Sequence, residues 1–116
     1  VEKNIVYLGQ GTRHPALFCE ELTATEASWV AGTPPAVFPF HCRSKVRYRQ
    51  PDQECVINGI ENGRVHVTYS VPQRAVTARQ SVVFYKDDVC LGGAMIESAG
   101  ISYYHQGKEL PEVVAP

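Results

Sequence analysis

Residues 54–70 read ECVINGIENGRVHVTYS. Asn62-Gly63 stands between two apolar-rich runs, and Asn-Gly is the strongest short hairpin signal because both residues tolerate positive φ. After it, Val65, Val67 and Tyr69 alternate with Arg64, His66 and Thr68. That alternation predicts a strand with one buried and one solvent-facing side. Glu54–Ile60 is its predicted partner.

The same pattern extends outward. Ser81–Tyr85 is strongly β-forming, Lys86-Asp87-Asp88 reads as a tight turn, and Val89–Ile96 returns. Gly92-Gly93 inside that return predicts a bulge or a close backbone contact, as at a barrel corner. Upstream, Cys42–Arg49 alternates until Pro51-Asp52, and Pro72 is expected to close the strand that follows Gly63. Ile5–Leu8 is a short apolar run, with Lys3-Asn4 before it reading as a hairpin tip. Ala16–Leu22 fits strand or helix equally. Thr25–Val30 reads as one helical turn capped by Thr25. Gly32-Thr33-Pro34-Pro35 and then Pro39 break any continuation. Four to six short strands with turns about every ten residues predict an all-β fold, a small antiparallel barrel or a sandwich. Closure into a barrel would remove exposed edges. From Ser98 the pattern fades into polar residues and prolines, which predicts a loosely held tail.

A chain of 116 residues, 44% hydrophobic and 20% charged, is of a size and composition to bury a core without staples. No apolar run approaches the roughly 20 residues that cross a bilayer. Val1-Glu-Lys-Asn4 lacks the basic and apolar parts of a signal peptide, and with no initiating Met the chain reads as a piece of a longer one. The four cysteines, Cys19, Cys42, Cys55 and Cys90, form no C-x-x-C and sit in strand-like patterns. They read as reduced core thiols in a reducing, cytoplasmic compartment.

Motifs with catalytic meaning are absent: no G-x-x-x-x-G-K-[ST], G-x-G-x-x-G or G-x-S-x-G occurs. His41-Cys42 with Cys55 is the nearest approach to a metal cluster, but neighbours on a strand point to opposite faces. Asp87-Asp88 reads as turn formers.

Charge is segregated. Net charge is −1, yet residues 41–86 hold eight cations and three acids. Arg43, Lys45, Arg47 and Arg49 occupy every second place of CRSKVRYRQ (42–50). Same-face neighbours on a strand lie about 6.6 Å apart, so the four predict a cationic stripe of about 20 Å, with Val46 and Tyr48 on the other face. Such a row is relieved by a polyanion, which releases counterions. Arg suits phosphate through its planar fork. The alternative is a solvated barrel face.

Lys45-Val-Arg-Tyr-Arg-Gln50, Pro72-Gln-Arg-Ala-Val-Thr77, Gln80-Ser-Val-Val-Phe-Tyr85 and Val89-Cys-Leu-Gly-Gly93 resemble the carboxyl-terminal part of bacterial tRNA-specific 2-thiouridylases. His14-Pro-Ala-Leu17 and Trp29 add to the resemblance, which covers roughly residues 4–97 in unbroken order. It implies a barrel like those of translation factors (14–98), preceded by the end of a central domain or linker (1–13) and followed by a flexible tail (99–116). In that family the full enzyme activates C2 of the wobble uridine, U34, with ATP and magnesium. A cysteine persulfide, fed by a sulfur-relay donor protein, then delivers sulfur. The S-G-G-x-D-S nucleotide loop and the catalytic cysteines belong to earlier domains, so this part alone is expected to be inactive.

The resemblance places tRNA contacts on Arg47, Tyr48 and Gln80, with Lys45 and Arg49 beside them on the basic strand. Arg47 would pair with phosphate, Tyr48 pack on or hydrogen-bond to the backbone, and Gln80 hydrogen-bond. Two features depart from the family pattern. Ala78-Arg79 stands where Pro-Gly usually precedes the glutamine, which alters the turn and adds a cation, and the tail from about Ser98 has no counterpart. Two other readings stay open: a purely structural barrel without RNA contact, and an independent thiol enzyme using Cys42 or Cys55.

Overall fold

In a computed structural model, which describes residues 14–47 and 50–115, six antiparallel strands close into a barrel in the order β1-β4-β3-β2-β5-β6. The strands are β1 (Phe18–Trp29), β2 (Phe40–Lys45), β3 (Gln53–Glu61), β4 (Arg64–Arg74), β5 (Ser81–Lys86) and β6 (Val89–Ala99). The β3–β4 hairpin turns at Asn62 and Gly63 with φ of 53° and 77°, the doubly left-handed turn that matches strand twist. The β5–β6 hairpin turns at Asp87, φ 55°.

Inward positions alternate as period two requires. Leu22, Ala24, Cys42, Cys55, Ile57, Val65, Val67, Val82, Phe84 and Ile96 fill the interior. Leu22, Ile57, Phe84 and Ile96 are almost wholly removed from solvent, each stabilising by about 1.5–3 kcal/mol. The buried hydroxyls of Ser44 and Tyr69 satisfy each other at 2.7 Å.

Three strand expectations are corrected. Thr25–Val30 is not a helical turn: β1 continues to Trp29 and pairs with β6 through Thr25↔Met95, Ser28↔Gly93 and Trp29↔Gly92. An open edge on β6 satisfies that backbone where a single helical turn would not. The Trp29 ring stacks on Phe84 at 5.9 Å, and Glu26 at φ 54° absorbs the bulge. Pro72 does not close β4, which runs to Arg74. The β1–β4 register jumps from Glu21↔Thr68 to Cys19↔Gln73, so Pro72 falls in the irregularity, where a strand tolerates proline. The basic strand ends at Lys45, four residues short of Arg49, and the chain bends at Val46 and Arg47.

Gly92 does mark a close backbone contact. A Cβ there would lie 2.3 Å from the Ser28 carbonyl oxygen, so only glycine lets β6 lie against β1. Beyond β6 the chain is irregular apart from one short helix, α1 (Tyr103–Gln106). The segment after β6 is tied back to the barrel, with Tyr103 and Ala115 buried. Tyr103 OH donates to Glu20 at 2.9 Å, Lys108 pairs with Glu20 at 3.0 Å, and Ala115 N–H donates to the Pro72 carbonyl at 2.9 Å. The 1–13 linker assignment lies outside the described residues.

Candidate nucleic-acid interface

Inward Cys42, Ser44 and Val46 place Arg43, Lys45 and Arg47 together on the outer side. They do not form a uniform stripe. Arg43 is tied off by acids, its Nε 3.2 Å from Asp52 and its Nη1 3.5 Å from Glu54. Its Nη2 also donates to the Asp52 carbonyl at 2.7 Å. The expectation of an uncapped row therefore fails at its first member, because β3 pairs in register and sets Glu54 opposite Arg43.

Beyond Arg43 the surroundings change. Lys45 has no carboxylate partner among the described residues; its ammonium sits 5.8 Å from the centre of the Tyr85 ring. Arg47 reaches across to β4 and donates from Nη1 to the Arg74 carbonyl. Burial, and then the neighbouring Arg74 charge, hold the Arg47 guanidinium below its usual pKa. Arg74 brings a second guanidinium, whose Nε is buried with no hydrogen-bond partner among the described residues. The unsatisfied Arg74 Nε is a donor that an anion would accept from.

Gln80 joins this region from the turn just before β5. Lys45, Arg47 and Gln80 line one groove of about 520 Å³ with Val46, Ser81, Val83 and Tyr85. The β2–β5 pairing, Lys45↔Val83, makes that meeting possible. The Gln80 side-chain oxygen accepts from Thr77 N–H at 3.2 Å and braces the turn before β5, leaving its NH2 available to a ligand. Tyr48 and Arg49 lie outside the described residues.

The turn at Ala78-Arg79 retains the demand a glycine would meet. Arg79 has φ 74°, and the Gln80 N–H contacts the Thr77 carbonyl at 3.4 Å. A left-handed conformation costs a non-glycine residue about 1–2 kcal/mol. Arg79→Gly is therefore expected to raise stability by about 1 kcal/mol, read as a higher midpoint in urea unfolding. An unchanged or lower midpoint would show that the arginine side chain offsets the strain.

A second set of residues, missed in the sequence, holds the Arg47 segment in place. Val46 N–H donates to Gln50 Oε1 at 3.1 Å, and Gln50 Nε2 donates to Gln73 Oε1 at 3.2 Å. Gln73 Nε2 donates in turn to the Val71 carbonyl at 2.9 Å and lies 3.4 Å from Gln53 Oε1. Gln50 and Gln73 are both buried. The relay straps the β2–β3 connection to the end of β4. The signal was present in the two quoted motifs, each of which contains a glutamine beside an arginine.

Residues 19–96 match the model of the aminomethyltransferase β-barrel domain family. The chain belongs to that family. Among curated proteins it is 56% identical over 110 residues to the tRNA-specific 2-thiouridylase MnmA of Protochlamydia amoebophila, covering 95% of this chain and 29% of the relative, a match that reaches past Ser98 and corrects the expectation that the tail has no counterpart. It is 52% identical over 99 residues to the MnmA of a Marinomonas species, covering 85% and 25%. It is 54% identical over 96 residues to that of Francisella tularensis subsp. novicida, covering 83% and 26%. The chain thus spans less than a third of the length of these relatives. Of its cysteines, Cys19, Cys42 and Cys55 are buried, but Cys90 is exposed, contrary to the expectation of four core thiols. The bulge opposite Phe84 and Tyr85 leaves the start of β6 at the hairpin tip, with Val89 also exposed.

Proposed function

We propose that this barrel is the carboxyl-terminal, tRNA-binding part of a tRNA-uridine 2-sulfurtransferase, the cytoplasmic enzyme that thiolates the wobble uridine, U34. The observation that carries the reading is the convergence of Lys45, Arg47 and Gln80 on one groove, in a chain whose relatives are named tRNA-specific 2-thiouridylases. Lys45 and Arg47 neutralise backbone phosphates, Arg74 adds a second guanidinium, and Gln80 donates from its amide. Tyr48 and Arg49 extend the contact along the same segment. Contacts of this kind position the nucleic acid without reading its sequence.

ATP and magnesium belong to the rest of the enzyme in this reading. The chain carries no S-G-G-x-D-S loop, and its described residues hold no group of three His, Cys, Asp or Glu able to take a metal. The persulfide chemistry and its sulfur-relay donor protein also lie there, so the barrel alone neither activates uridine nor transfers sulfur. No helix among the described residues is long and apolar enough to cross a membrane.

The test is a tRNA gel-shift series over salt. Binding by the 116-residue chain is expected to be weak and to fall steeply between 50 and 200 mM salt. Arg47→Ala is expected to weaken it about tenfold, about 1.4 kcal/mol, and to flatten the salt slope by about one counterion. Arg43→Ala, at the acid-capped position, is expected to change affinity far less. Equal affinity for Arg47→Ala and the parent would leave the purely structural barrel as the better account.

A further inference from the structure

The two sulfur atoms inside the barrel wall play no part in RNA binding, yet they are placed as partners. Cys42 and Cys55 are directly opposed in the antiparallel β2–β3 pair. Their Sγ atoms lie 3.7 Å apart. Directly opposed residues of an antiparallel pair have Cα atoms about 4.5 or 5.5 Å apart, both within the range a disulfide spans. Closing the sulfur separation to about 2.05 Å takes side-chain rotation and a small approach of the strands, not a rearrangement of the sheet. We propose that Cys42 and Cys55 form a dithiol site that hydrogen peroxide closes to a reversible disulfide.

The surroundings favour this pair over the other cysteines. The two sulfurs share a hydrogen bond in which either can be the donor; that contact lowers the Cys55 thiol most, burial opposes the shift, and Ser44 and the charge of Arg43 add to it. The Cys42 thiol is raised by the same contact and by burial. Two thiols sharing one hydrogen bond let one sulfur act as nucleophile while the other follows as the resolving thiol. Burial pushes the Cys19 thiol up. Cys90 is exposed.

The step balances with the peroxide as oxidant. The Cys55 thiolate attacks one oxygen of hydrogen peroxide, the O–O bond breaks, and hydroxide leaves and takes up the proton that Cys55 had released, becoming water. Cys55 is then a sulfenic acid. Cys42 sulfur attacks that sulfur, the S–O bond breaks, and the Cys42 proton leaves with the hydroxyl as a second water. Two thiols are oxidised by two electrons and one hydrogen peroxide is reduced. The new bond joins β2 to β3 on either side of the segment that carries Arg47.

The test treats the 116-residue chain with hydrogen peroxide and follows intact mass, then cleaves after glutamate. Glu20 and Glu54 separate Cys19, Cys42 and Cys55 onto different fragments. The expected result is a loss of about 2 Da, with the 42- and 55-containing fragments joined and released by dithiothreitol. Cys19, equally buried in the same molecule, is an internal control and should react at least tenfold more slowly. In Cys42→Ser the joined fragments are expected to vanish and Cys55 to gain oxygen instead. No mass loss in the parent chain, or a bridge to Cys19 or Cys90, would overturn the proposal whether or not the variant folds. The result is independent of tRNA affinity.

Discussion

Gly92→Ala is expected to destabilise the barrel by about 3 kcal/mol and to lower its melting temperature by roughly 10 °C. The added carbon would stand 2.3 Å from the Ser28 carbonyl oxygen and 3.0 Å from the Trp29 Cα. Both are backbone atoms of β1, so no side-chain rotation relieves the overlap. Gly92 also has φ 153°, a conformation that side chains rarely adopt. To make room β1 must retreat from β6, which would pull Trp29 off Phe84. Gly59→Ala is the control, since nothing lies within 4 Å of its added carbon. Thermal unfolding by circular dichroism decides the matter. A shift under about 3 °C for Gly92→Ala would mean the two strands can part cheaply.

The second large effect is expected at Gln73, which contacts no solvent and, in the reading above, no RNA. Gln73→Ala removes the far end of a relay that begins at the Val46 N–H. It leaves the buried Gln50 amide without its acceptor and opens a void beside it. Each orphaned buried group costs about 1–3 kcal/mol, so a loss of about 2–3 kcal/mol is expected in urea unfolding. The functional consequence separates strapping from mere stability. With the relay gone, Arg47 no longer has a fixed carrier, so tRNA affinity should fall in a protein still folded at the assay temperature. In a double-mutant cycle Arg47→Ala should then cost less in the Gln73→Ala background. Additive losses would show that Gln73 supports the fold without positioning Arg47.

Local signals in the sequence were strong where one residue type dictates a backbone shape. Asn62-Gly63 and Gly92 could be read because few residues satisfy those dihedrals or contacts. The alternation Val65, Val67, Tyr69 was equally legible, since a buried face has period two. What failed depended on neighbours distant in the chain. Thr25–Val30 looked helical until β6 supplied an edge. Arg43 looked like a free cation until the β2–β3 register set acids against it. Lys45 and Gln80 share a groove only because β2 pairs with β5 across two intervening strands. Nothing local to Gln50 or Gln73 signals burial, and only the register makes them a buried relay. Cys42 and Cys55 likewise become partners only through strand pairing.

The place of β1 in the wall bears on how the molecule is made. It pairs with β4 on one side and β6 on the other, and Leu22 meets Ala99. On a ribosome the first strand therefore emerges roughly 80 residues before its last partner, a wait of about 4–15 s at 5–20 residues per second. Throughout that interval a nascent ribbon shows at least one bare row of amides to its surroundings. Glu20, Glu21 and Glu26 lie along that ribbon, and their repulsion discourages two growing chains from zipping together before each can seal itself.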